Sequence, residues 1–155
     1  MDAILGLLFA MSSGLGFDPG LGVELGLQSP KFEIIAHTTS EHKMGEDYGY
    51  TYGLNGSAFL QIAGGPVALG AGFSHYGYVA EYWNKTATAP MLTLAYRPDS
   101  GDYRVFYIAE DDVTSAVVGV SVDTEISDSL SLAMNACKTL DYDGTTFDVG
   151  LRWRF

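Results

Sequence analysis

His37 opens the segment HTTSEHKMGED, and it is one of three histidines in a chain of 155 residues. Histidine is the side chain whose ordinary pKa lies near neutrality, so it is the natural general base. His37 and Thr39 are two residues apart. On a β-strand they share a face, which lets an imidazole take the proton of a hydroxyl. Glu41 or Glu46 would orient the ring, completing a base-assisted nucleophile with Thr39, or Ser40 beside it, as the attacking group. The plainer reading of the same residues is a strand, FEIIAHTTS, that runs into a polar loop. His75 follows Ser74 directly, so on a strand the two point to opposite faces and make a poor nucleophile–base pair. His75 therefore reads as structural, and His42, in the polar loop, as solvated.

Other chemistry is thinly represented. There is no P-loop, GxSxG, HExxH or EF-hand loop, and GLGFDPGLG lacks the strand–helix context of a dinucleotide fingerprint. The acidic pairs Asp111-Asp112 and Asp141/Asp143 read as solvated loop carboxylates rather than a cation site. Cys137 is the only cysteine, so neither an internal disulfide nor a cysteine zinc site can form. These residues imply no cofactor and no metal. A formal charge of -11 leaves no basic stripe for nucleic acid. An apolar fraction of 47% excludes a disordered chain.

The elements that must position these residues alternate with period two, which is the strand signature. Phe147, Val149, Leu151, Trp153 and Phe155 form one face against Asp148, Gly150, Arg152 and Arg154. Leu21, Val23, Leu25 and Leu27 oppose Gly22, Glu24, Gly26 and Gln28. Turn signals such as Gln28-Ser29-Pro30, Gly64-Gly65-Pro66 and Ser127-Asp128-Ser129 separate the runs. The map predicts strands near 17–28, 31–39, 47–63, 66–81, 88–97, 102–110, 114–125, 130–141 and 145–155, all in one domain spanning 1–155. Alternation continues through Asn55-Gly56, which favours one long strand over a hairpin there. The longest apolar run, Ala3 to Met11, is far short of the roughly 20 residues of a spanning helix. Residues 1–16 read either as a signal remnant without its usual basic start or as a first strand.

Three features favour a membrane barrel. The polar face is rich in Gly, Ser, Ala and Asp, which suits a crowded lumen rather than a solvated sheet. Aromatics collect at strand ends, with Trp153 and Phe155 at one and Tyr82, Trp83 and Tyr142 at the other. Tight turns alternate with longer loops. The expected fold is all-β, a closed antiparallel up-and-down transmembrane barrel of 8 to 10 strands, with residues 2–13 as the strand that would make ten. Inside it, Asp148, Glu24 and Asp123 are expected to pair with Arg152, Arg154 or Arg104 and plug the lumen. A soluble lipocalin-type barrel, with its apolar face lining a ligand cavity, is the alternative.

The final strand, TTFDVGLRWRF, resembles the C-terminal strand of bacterial outer-membrane β-barrel proteins, with alternating apolar residues and a terminal Phe at 155. That resemblance implies a bacterial outer-membrane location and recognition by the barrel-assembly machinery. The whole pattern is similar to the small opacity and adhesion barrels, which implies external loops that contact a host surface or another external ligand. The segment from His37 resembles the site of outer-membrane lipid A deacylases, which place His, then Ser two residues on, then Glu. Here Thr39 stands at the serine position, and the asparagine that usually follows is missing. This second resemblance implies an ester hydrolase with His37 as base, Thr39 or Ser40 as nucleophile and Glu46 as orienting carboxylate.

Overall fold

The computed structural model describes residues 20–44, 47–81, 84–99, 101–109, 116–140 and 145–155. The described residues form ten strands and no helix: β1 (Gly20–Gln28), β2 (Phe32–Thr39), β3 (His42–Met44), β4 (Asp47–Gln61), β5 (Val67–Ala80), β6 (Asn84–Tyr96), β7 (Asp102–Ile108), β8 (Val117–Ser127), β9 (Leu130–Thr139) and β10 (Thr145–Arg154). All but β3 follow the predicted map closely, because an unbroken alternation marks a half-buried strand. β4 runs straight through Asn55-Gly56. β6 begins at Asn84, earlier than expected, because polar residues with no alternation to read continue its ladder against β5.

β1, β2 and β4 to β10 close into a barrel of nine strands, and the short β3 pairs with the upper end of β4. Consecutive barrel strands pair antiparallel throughout. The closing pair, β1 with β10, is parallel. A wholly antiparallel barrel was expected, and this seam corrects it. In an up-and-down order the first and last of nine strands run in the same direction, so closure between them is necessarily parallel. Residues 2–13, the proposed extra strand, lie outside the described residues.

The rim that carries Phe155 has the tight connections. Ser29 accepts the Lys31 and Phe32 amides through its hydroxyl, fixing the first turn. Between β4 and β5 the Gly65 amide donates to the Ile62 carbonyl (2.9 Å), with Ala63 and Gly64 between them at φ of 50° and 67°. Both residues are left-handed, the geometry that matches the twist of paired strands. The opposite rim, called upper below, carries the two longest connections, residues 40–46 with β3 within them and residues 109–116.

The barrel is apolar outside and polar inside. On β1, Leu25 is 60% exposed while neighbouring Glu24 is 4% exposed. On β10, Val149 is 51% exposed and Arg152 1%. The same inversion runs through Leu60, Leu69, Leu94 and Val105 on the outer surface. Trp153 and Phe155 face outward at the lower rim. Tyr82, Trp83 and Tyr142 lie outside the described residues. A lipocalin-type arrangement would place the large apolar side chains inside instead.

Candidate functional site in the lumen

The seam sets the site. Across the parallel pair the register partners are Gly22 with Asp148, Glu24 with Gly150, and Gly26 with Arg152. Each large inward side chain lies over a glycine of the other strand. A Cβ on Gly22 would be 1.8 Å from Asp148 Oδ1, and one on Gly26 would be 2.9 Å from Arg152 Cγ. This alternation of small and large residues lets long side chains fit inside a narrow barrel.

Below that level two guanidiniums organise the lumen. Arg152 donates through Nε to Glu24 (2.9 Å), through Nη1 to Asp123 (3.0 Å), and through Nη2 to Ser121 Oγ and Asn135 Oδ1 (both 3.2 Å). Arg104 grips Asp102 with a fork, Nε to Oδ1 at 3.0 Å and Nη2 to Oδ2 at 2.6 Å, and donates Nη1 to Glu33. Asp102 also accepts from Gln28 Nε2 (2.9 Å) and Arg97 Nε (3.0 Å). Charges removed from water are tolerable only when paired and hydrogen-bonded in this way. The expected plug is therefore present, with two changes. Asp148 takes no arginine, and Arg154 pairs with Glu125 near the lower rim.

Above the network lies a cavity of about 120 Å³. One wall is polar, with His37, Cys137 and Asp148. The facing wall carries an apolar patch, with Met91 and Ile108 buried and Tyr76, Phe106 and Val117 packed against them, bordered by Asn55, Ser74 and Thr93. Two atoms at the polar wall are buried without a hydrogen bond, Asp148 Oδ1 and His37 Nδ1.

The residues proposed for catalysis are only partly brought together. His37 and Thr39 both face the lumen from β2, as their spacing predicted, but no hydrogen bond joins them. The Thr39 hydroxyl instead meets Thr51 Oγ1 (2.8 Å) and accepts the Thr51 amide (2.9 Å). The imidazole near Thr39 is that of His42, whose Nδ1 lies 3.3 Å from Thr39 Oγ1 and 3.0 Å from the Ser40 carbonyl. His42 was expected in solvent. It is buried, stacked edge-on to Tyr78 above Gly20, because β3 folds it inward. Ser40 is exposed and accepts the Leu21 amide at 3.0 Å. Glu46 lies outside the described residues, as do Asp111, Asp112, Asp141 and Asp143. Ser74 and His75 take opposite faces, as expected. Ser74 donates inward to Asn55 Oδ1 (2.6 Å), and His75 meets Thr88 Oγ1 (2.7 Å) on the outer surface.

Sequence reasoning did not single out Glu33, Asp102, Gln28 or Asn135. A usable signal existed: each is a polar or charged residue at an inward parity position, and Asn135 stands beside the small inward residues Ser131 and Ala133. Compared with protein-family models, curated proteins and solved structures, the chain has no match in any of the three.

Proposed function

We propose that this protein is an integral β-barrel of a bacterial outer membrane. Its lumen is closed by side chains, and its role is structural or one of surface contact through the longer connections at the upper rim. One observation carries the reading: the exposed face of strand after strand is Leu, Val, Ile, Phe or Tyr, while the charges are inside. In water such a surface would be one continuous apolar patch, far larger than soluble monomers present. In a bilayer it is the favourable arrangement, and closure leaves no strand edge unpaired. The outward apolar face of β10, with Val149 and Trp153, is the segment the barrel-assembly machinery would recognise, and outer-membrane lipid is the first partner.

Fractionation of cells expressing the chain tests this. The protein is expected in the outer-membrane fraction, resistant to carbonate extraction, with a heat-modifiable shift on gels. Recovery as a folded monomer in plain buffer would sink the reading. Esterase activity has weaker support. Among the described residues two hydroxyl–imidazole contacts are present, Thr39 with His42 facing the lumen and His75 with Thr88 on the outer surface, and neither joins His37 to Thr39 or Ser40.

A further inference from the structure

The upper cavity has the makings of a binding site. Among the described residues the buried carboxylates Glu24, Glu33, Asp102, Asp123 and Asp148 face the buried guanidiniums Arg104 and Arg152, with Arg97 at the lower rim. Four of those carboxylates are engaged by arginine. Asp148 is not. It is 6% exposed, its Oδ1 has no hydrogen-bond partner, and it lines the cavity. A carboxylate held this way in a low-dielectric interior costs free energy until a donor reaches it. The nearest surplus of charge is of the same sign, since Glu24 sits one inward position away across the seam.

We propose that the upper lumen binds a small organic ammonium ion, its charged head on Asp148 and its compact hydrocarbon body against Met91, Phe106 and Ile108. The head group must be cationic, because the open position is an acceptor amid excess carboxylate. His37 Nδ1, also without a partner, supplies a second acceptor when the imidazole is neutral. The body is apolar where it meets those three residues, whose side chains offer no hydrogen-bond donor. It must also be small. The cavity of about 120 Å³ is comparable to the roughly 150 Å³ that admits benzene in a designed cavity. A bare metal ion would satisfy Asp148 but leave the apolar wall empty, and among the described residues no metal-ligating cluster is present.

The test uses the whole chain folded in detergent micelles, with folding verified by the heat-modifiable gel shift. Benzylamine, benzyl alcohol and benzoate are titrated by calorimetry and by NMR. Benzylamine is expected to bind saturably, benzyl alcohol more weakly and benzoate not at all. Asp148→Asn keeps the shape and removes the charge, and is expected to weaken benzylamine by about tenfold or more while leaving benzyl alcohol unchanged. Ile108→Trp fills the apolar wall and is expected to abolish both. The proposal fails if folded wild-type protein shows no saturable benzylamine binding. It also fails if either folded variant retains wild-type affinity, which would point to the micelle. Should Asp148→Asn not fold, the Ile108→Trp comparison and benzoate exclusion decide alone.

Discussion

Glu24 lies over the bare backbone of Gly150, its register partner across the parallel seam. A Cβ on Gly150 would sit 2.1 Å from the Glu24 carbonyl oxygen and 2.2 Å from its Cγ. At Gly22 the nearest atom is instead the end of a side chain, Asp148 Oδ1, which can rotate away, and the closest backbone atom, the Thr38 carbonyl oxygen, is farther off at 2.9 Å. Gly150→Ala is therefore expected to cost about 3 kcal/mol or more and Gly22→Ala about 1 kcal/mol. Urea unfolding in micelles, followed by the gel shift, measures both. Equal effects would contradict the seam geometry.

Arg152 is the centre of the lower plug. Arg152→Met leaves Glu24 buried without its cation and Asp123 with only the longer contact to Arg104 Nη2 (3.6 Å), an expected loss of about 3–5 kcal/mol. Adding Glu24→Gln and Asp123→Asn to that variant is expected to recover most of the loss. A triple variant no more stable than Arg152→Met would show that the plug does not act through charge compensation.

The parallel closure can be trapped chemically. Val23 and Val149 are register partners on the outer surface. With Cys137 replaced by Ala, Val23→Cys together with Val149→Cys is expected to form an intramolecular disulfide on mild oxidation, since such partners lie within disulfide reach. Val23→Cys paired with Val105→Cys on β7 serves as the negative control. Absence of the seam cross-link in folded protein would mean that β1 and β10 are not neighbours.

Depth dependence distinguishes a lipid-facing surface from a wet one. Leu25→Arg, in the middle of β1, is expected to destabilise the protein in bilayers by about 2–4 kcal/mol. Leu21→Arg, near the upper end of the same strand, is expected to cost about 1 kcal/mol or less. Two equal and negligible effects would be the signature of a surface in water.

The faces of the strands were legible because period two is a local property. Any inward charge, such as Glu24, Asp123 or Arg152, stands out against Gly, Ser and Ala. Their partners were less legible. Arg152 reaches Asp123 across two strands, from β10 over β9 to β8, and that depends on the stagger of the whole barrel. Asp148 has the same inward parity as Arg152 yet meets no arginine, which no local pattern distinguishes. His42 was misplaced because β3 is three residues long, too short for an alternation to show. The parallel seam follows from strand count, a global number that one strand more or fewer reverses.

An odd strand count also decides how the protein can be re-engineered. Gly20 begins β1 at the upper rim, and Phe155 follows β10 at the lower one. In a barrel of even count a few residues suffice to connect the first and last strands and open the chain elsewhere. Here the segment that joins Phe155 back to Gly20 in a circular permutant, residues 1–19 included, would run the height of β1, nine residues at about 3.3 Å each or roughly 30 Å. With the lower lumen plugged by side chains, that bridge would pass along the apolar outer face. Split variants reassembled from two fragments, cut at an upper connection, are the accessible route to rearranging this topology.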